Sequence, residues 1–230
     1  MIITSKCEVK EIKDIKDIND ALRLITFKMD RFRKFEPGMF LQLTLDDFDF
    51  SQPWPESRAF SFASYCNGTE KILVRKKGIY TTRIFDELKI GNESYIKYPF
   101  GEFILSESDK KVFIAGGAGI SVFTSYFDYM KNAKTNDEVI LFHIVKAKDE
   151  IIQNYYELPL SIRCFSFVTK DKYKGLNRRI DMNDILSKLD GSDYVFYICG
   201  GEEFIQNYSS GLRLAEFDSI RVENWNRAMK

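Results

Sequence analysis

Three short stretches combine residue types that can do chemistry. The first is Ala115-Gly116-Gly117-Ala118-Gly119-Ile120-Ser121, which follows the apolar run KVFIA (111–115) and opens a segment with Val122, Phe123, Tyr126, Phe127 and Met130 on one helical face. Glycines there let a backbone come close to a pyrophosphate, and a helix start offers unpaired N–H groups and the positive end of its dipole. The spacing is not G-x-G-x-x-G, because Val122 stands where the third glycine would be, so the same residues also fit a tight strand-to-helix turn that binds nothing. The second stretch is Gly78-Ile79-Tyr80-Thr81, a glycine before a short helical pattern for which Thr81 is the expected N-cap. Arg58, Arg75, Lys76 and Lys77 supply charge for a diphosphate in the same half, although exposed basic residues are ordinarily just solvated. The third is Cys199-Gly200-Gly201, at the end of the apolar run YVFYIC (194–199). Crevices outside the carboxyl ends of parallel strands hold ligands, whereas a buried cysteine is otherwise a small hydrophobe. His143 lies inside the apolar run VILFHIV (139–145) and reads as a core histidine bonded to backbone rather than as a catalytic base.

Composition narrows the chemistry further. The 230 residues carry 34 Lys plus Arg against 34 Asp plus Glu, which leaves no bulk positive charge for nucleic acid. Aromatic residues make up 15%, with 20 Phe and 12 Tyr but one His, which favours flat ligands over histidine-built metal centres and histidine acid-base machinery. Cysteines at 7, 66, 164 and 199 form no CxxC and no clustered ligand set, so a zinc or iron-sulfur site is not expected. The N-terminal stretch MIITSKCEVKEIKD has no signal-peptide core, and no run approaches the roughly 18 apolar residues of a membrane span. The expectation is a soluble, cytoplasmic protein with reduced thiols. Two anion sites, many aromatics and no metal or triad chemistry suit nucleotide cofactors and redox work rather than hydrolysis.

Two kinds of element must position these residues. From 7 to 99 the apolar runs are short and alternating (22–29, 39–45, 60–64, 71–77 and 94–99), divided by Pro37-Gly38, Asn67-Gly68 and Gly91-Asn92. That pattern predicts an antiparallel barrel interrupted by one helix, which starts after Gly78 and stops at Gly91. Past Ser108, continuous apolar strands alternate with helices, the latter at 121–133, 150–158, 182–189 and 202–212. This predicts a parallel sheet covered by right-handed crossovers. The expected division is 1–107 for the barrel domain and 108–230 for the α/β domain.

The ordered set Pro37-Gly38-Met39-Phe40, Arg58-Ala59-Phe60-Ser61, Gly78-Ile79-Tyr80-Thr81, Pro99-Phe100-Gly101, Gly116-Gly117-Ala118-Gly119-Ile120, Cys199-Gly200-Gly201 and Glu223-Asn224-Trp225 resembles the ferredoxin-NADP reductase family over nearly the whole chain. The resemblance implies an FAD-binding antiparallel Greek-key β barrel joined to an NAD(P)-binding α/β domain. Within the motif that includes Ala59, it implies that Arg58 pairs with the FAD diphosphate, Phe60 packs on the isoalloxazine and Ser61 hydrogen-bonds near N5. Gly78, Ile79, Tyr80 and Thr81 would hold the diphosphate from the other side, with Arg75 adding charge. Gly116 to Ile120 would cradle the NAD(P) pyrophosphate, and Cys199, followed by Gly200 and Gly201, would lie beside the nicotinamide. The implied catalytic residues are Ser61, Cys199 and Glu223. Trp225 is implied to cover the flavin and move aside for the nicotinamide. Phe60 stands where tyrosine is common in the family, and Val122 and Gly201 stand where proline is usual. Thr169-Lys170, with Lys146, occupies the place where NADP-using members carry a hydroxyl and a guanidinium for the 2'-phosphate, a lean toward NADPH over NADH.

The implied activity is a reductase that takes hydride from NAD(P)H onto bound FAD and passes electrons to a separate carrier such as ferredoxin, flavodoxin or an oxygenase component. Arg31, Arg33 and Lys34 could steer an acidic carrier, or form an ordinary solvated face. The missing cysteine cluster separates the sequence from members with a fused iron-sulfur domain and from the dihydroorotate dehydrogenase electron-transfer subunit. Two alternatives stand beside it. One is a flavin reductase that releases reduced flavin, and the other is a noncatalytic nucleotide-binding redox subunit.

Overall fold

The computed structural model describes residues 6–29, 35–66, 68–105, 110–135, 137–171 and 180–224. The first half holds strands β1 (Lys6–Asn19), β2 (Leu22–Lys28), β3 (Phe40–Thr44), β4 (Arg58–Ser61) and β5 (Thr69–Arg75), then helix α1 (Ile79–Glu87) and β6 (Glu93–Phe100). These six strands form one antiparallel sheet in the order β4-β3-β6-β1-β2-β5. Its two edges meet through the Phe62–Ile72 bridge and the bond from Ala63 N to Lys71 O, 2.7 Å, so the sheet curls into a barrel and hides its edges. Alternation along the strands sends Ile25, Phe27, Leu41, Leu43, Ile72, Val74 and Ile96 into the barrel core.

The second half holds β7 (Lys110–Gly116), α2 (Ser121–Ala133), β8 (Glu138–Val145), β9 (Ile162–Val168), α3 (Met182–Leu186), β10 (Val195–Gly200), α4 (Glu202–Leu214) and β11 (Ile220–Asn224). Its strands are all parallel, in the order β11-β10-β7-β8-β9. The order reverses between β7 and β10, and the two glycine turns, at the ends of those two strands, flank the crevice this reversal opens. Residues on both faces of β7 and β8 are buried, as a sheet covered on two sides requires. The predicted boundary at 107 and 108 lies outside the described residues. Among the described residues no helix is long and apolar enough to cross a membrane.

Four local expectations are corrected. The segment 150–158 is not an α-helix but two 3-10 turns (Lys148–Glu150 and Ile152–Asn154), because Glu150 is tied down at its side chain and Pro159 stops any continuation. Gly78, not Thr81, caps α1. Thr81 is the third helical residue, and its hydroxyl accepts from Lys77 N at 2.8 Å and Gly78 N at 3.1 Å. The helix ends at Glu87, before Gly91, which instead turns the chain into β6 with φ +86°. The 14-residue strand β1, absent from the predicted set of strands, pairs with both β2 and β6.

Candidate functional site

A cavity of about 1130 Å³ runs along the seam between the two halves. On the barrel side its wall includes Arg58, Ala59, Phe60 and Ser61 of β4, and Gly78, Ile79, Tyr80 and Thr81 at the start of α1. Register explains the first group, since Ser61 pairs with Phe40 and Ala59 with Gln42 on β3, which carries β4 along the cavity. Arg58 is held ready. Its guanidinium donates to Glu56 Oε1 and to Ser57 O, both at 2.8 Å, and lies 4.7 Å over the Tyr80 ring. Tyr80 is fixed in turn by its hydroxyl, which donates to Leu43 O at 2.5 Å; burial pushes its phenol pKa up, so it stays a donor. Ile79 at the helix start is 87% exposed, an apolar side chain at the cavity rim. The first N–H groups of α1 have no partners within the helix and no acidic residue in the first turn, so this end offers donors and positive potential to an anion.

On the α/β side the wall includes Gly116, Gly117, Ala118 and Ser121. Gly117 takes φ +56°, a conformation that costs glycine nothing. Its carbonyl accepts from His143 Nε2 at 3.1 Å, so the buried imidazole braces the turn from below. Burial pushes the His143 pKa down to about 4; the ring is neutral and the proton sits on Nε2, the nitrogen facing the carbonyl. The expectation of a core histidine bonded to backbone is met, and the backbone in question belongs to the candidate site. Gly119 and Ile120 lie behind the wall. A methyl on Gly119 would stand 2.5 Å from Cys199 O, so this glycine lets the turn pack on β10 rather than touch a ligand.

Arg75 departs from the expectation that it serves a diphosphate on the barrel side. Strand alternation puts Leu73 and Arg75 on the face of β5 toward the α/β half, while Ile72 and Val74 enter the barrel core. Arg75 Nη1 donates to Glu150 Oε1 at 2.9 Å across the seam, and Glu150 Oε2 accepts from Lys146 N at 3.3 Å. Arg75 Nη2 lies beside Gly117 and is buried with no hydrogen-bond partner among the described residues. A buried guanidinium N–H without a partner, next to a left-handed glycine turn and a helix start, fits an anionic ligand such as a phosphate.

Of the three residues expected to be catalytic, two are in the cavity wall and one is not. Cys199 and Glu223 are paired residues on β10 and β11, and Glu223 and Ser61 are both in the wall. Cys199 is fully buried under Gly119 and does not reach the wall. Burial lifts the Glu223 carboxyl to about 7. Gly201 is in the wall, whereas Gly200 is covered by Phe204, whose ring would lie 2.6 Å from a methyl there. Glu202 and Glu203 occupy the first turn of α4 and offset its dipole, which makes that helix start a poor phosphate site. Lys146 and Thr169 are in the wall, and Lys170 is not; its N–H donates to Lys146 O at 3.0 Å, and the Thr169 hydroxyl donates to Val145 O at 3.1 Å. Trp225, Arg31, Arg33 and Lys34 lie outside the described residues. Phe204 and Glu150 carry no local signal as wall residues, because what marks each is a partner from a distant segment. Among the described residues no group of His, Cys, Asp and Glu could hold a metal ion, and none of the four cysteines forms a disulfide.

No protein-family model matches the chain. It is 24% identical over 184 residues to the anthranilate 1,2-dioxygenase electron transfer component of Acinetobacter baylyi, covering 75% of this chain and 52% of that one. It is likewise 24% identical over 200 residues to a probable dihydroorotate dehydrogenase B (NAD(+)) electron transfer subunit of Thermococcus kodakarensis, covering 85% and 75%. The chain spans about half the length of the dioxygenase components it matches. Among solved structures, the ferredoxin NADP+ reductase from Neisseria gonorrhoeae with bound FAD and NADP superposes with a TM-score of 0.77 at 18% identity, covering 96% of this chain and 99% of that one. The sequence relatives are thus electron transfer components and subunits, and the fold, an antiparallel barrel followed by a parallel α/β sheet, is that of the ferredoxin NADP+ reductase.

Proposed function

We propose that this chain is a flavoprotein reductase that takes hydride from NAD(P)H onto FAD and hands electrons to a separate carrier, a ferredoxin, a flavodoxin or an oxygenase component. Its domains are 1–107 for the flavin and 108–230 for the nucleotide. The observation that carries this reading is that a single cavity has the Arg58–Ser61 strand and the α1 start on one wall and the Gly116–Gly117 turn on the other. Two nucleotides held by those walls would meet at the seam, with their reactive rings together and water excluded. FAD, when bound, supplies the hydride acceptor and the means of parting an electron pair into single electrons. Arg58 and the N–H groups of Ile79 and Tyr80 would hold its diphosphate. Gly116, Gly117 and the Arg75 Nη2 group would hold the pyrophosphate of the donor. FAD that co-elutes one-to-one with the protein on gel filtration fits this reading; flavin that separates on the column supports release of reduced flavin as product instead.

Glu223 gives the reading a pH signature. Its carboxyl is neutral below about pH 7 and an anion above. A carboxylate beside the reacting rings stabilises the positive charge that a nicotinamide develops as hydride leaves. The rate of flavin reduction at saturating nucleotide should therefore rise through an inflection near pH 7. Glu223→Gln should remove the inflection and hold the rate at its low-pH level; a variant that keeps it would exclude Glu223 as its source.

Donor preference rests on Lys146 in the wall and on Lys170 just behind it, joined to it by the bond from Lys170 N to Lys146 O; both favour NADPH as point charges toward a 2'-phosphate, while the Thr169 hydroxyl is already donated to Val145 O. Lys170→Ala should raise KM for NADPH several-fold more than KM for NADH. An unchanged ratio of the two KM values would remove Lys170 from the site.

A further inference from the structure

Helix α2 begins at the glycine turn and carries Thr124, Asp128 and Asn132 at every fourth position, a polar stripe along one side of the helix. Each member of the stripe reaches backbone of the other half, in the segment 63–66 that leaves β4 just after Ser61. The Thr124 hydroxyl lies 2.8 Å from Ala63 O, where it can donate, although Ser121 O is equally close. Asp128 Oδ2 accepts from Tyr65 N at 3.1 Å, and Asn132 Nδ2 donates to Tyr65 O at 2.8 Å. Tyr156 donates its hydroxyl to Asp128 Oδ1 at 2.5 Å, which fixes the carboxylate's orientation. The far side of the segment is pinned as well. Buried Glu70 on β5 accepts from Ser64 Oγ at 2.7 Å and Cys66 N at 3.2 Å, and Ser64 Oγ accepts from Lys71 N at 2.8 Å.

An apolar seam would hold the halves together without fixing their register, because hydrophobic contact is non-directional. Hydrogen bonds to consecutive backbone groups are directional and admit one register. The stripe therefore joins two short rigid arms, three residues from Ser121 to Thr124 on one side and two from Ser61 to Ala63 on the other. Each arm ends in the wall of the cavity.

We propose that Thr124, Asp128 and Asn132 are positioning residues that set the separation of the two cofactor walls, and with it the distance over which hydride must move. The proposal rests on the reductase reading above. Rapid-mixing measurements on the FAD-loaded protein, anaerobic and over a range of nucleotide concentrations, separate nucleotide binding from the rate of flavin bleaching at saturation. A misplacement on the order of 1 Å can slow a positioned reaction about a hundredfold. Thr124→Val and Asp128→Ala should lower the saturating rate by about tenfold or more, with nucleotide and FAD affinities within about twofold of wild type. Thr124→Ser, which keeps the hydroxyl, should restore the rate. Exposed Asn132→Ala, which leaves the buried seam intact, should show the same loss in smaller measure. If the wild type bleaches and the Val, Ala and Asn132 variants bleach at its rate, the proposal is overturned. It is overturned equally if rate, FAD affinity and melting temperature fall together, since that marks a merely structural seam. A wild type that does not bleach would overturn the reductase reading itself.

Discussion

Alanine at position 119 is expected to destabilise the protein by about 3 kcal/mol, lowering the melting temperature by about 6 to 12 °C. The added methyl would stand 2.5 Å from Cys199 O and 2.9 Å from its carbonyl carbon. Those are backbone atoms of a central strand that hydrogen-bonds to β7 and β11, so neither side can move aside cheaply. Relief requires lifting the turn off β10, which drags Gly116 and Gly117 with it. The loss of stability should therefore come with weaker nucleotide binding. Gly201→Ala is the matched control, with φ −72° and nothing within 4 Å of the new methyl. It should cost no more than about 1 kcal/mol, the preference for glycine over alanine at the N-cap of α4. Denaturant titration of the two variants decides the matter. If Gly119→Ala melts with the control, the close packing of turn on strand is not what that glycine provides.

Arg58→Ala is expected to weaken FAD binding by about tenfold to a hundredfold, the worth of one or two charge-assisted hydrogen bonds at about 1.5 to 3 kcal/mol. The magnitude follows from preparation of the site. Glu56, Ser57 O and the Tyr80 ring already hold the guanidinium, so little side-chain entropy remains to be lost on binding. Lys76 is the comparison, exposed, 3.8 Å from Asp86 and 5.3 Å from the Phe85 ring, and outside the cavity wall. Lys76→Ala should change flavin affinity no more than about twofold. Fluorescence titration with FAD measures both. Equal losses would point to general electrostatic attraction in place of a fitted diphosphate site.

The parts legible in the sequence are those where local chemistry needs one residue type. Gly117 at φ +56° and Gly119 against Cys199 are positions only glycine fills without strain, and both stand out in the string AGGAGIS. The apolar runs of β7, β8 and β10 read directly because both faces of those strands are buried. Strand β1 does not read, because Val9, Ile12, Ile15 and Ile18 step by three where a strand steps by two. For Ile12 and Ile15 the structure resolves the conflict with a bulge. Between Ile12 and Ile15 the strand advances three residues while its partner advances two, from Phe27 to Ile25, and the extra residue restores the inward phase. The turns at 148–154 misled for another reason. Ile151, Ile152, Tyr155 and Tyr156 have helical spacing, but the Glu150 side chain is engaged with Arg75 and Lys146 N, a tertiary tie invisible to local pattern. The facing of Arg75 became legible only once β5 had a register and Leu73 had a side.

On the proposed function, the two cavity walls hold a flavin and a nicotinamide nucleotide together for hydride transfer. Anaerobic titration of the FAD-loaded protein with NADPH, and of a fresh sample with NADH, tests it in one visible spectrum. The bound flavin band is expected to bleach with at least one of them, at about one nucleotide per flavin. A protein that takes up no FAD, or whose bound flavin keeps its oxidised spectrum with both nucleotides, would contradict it.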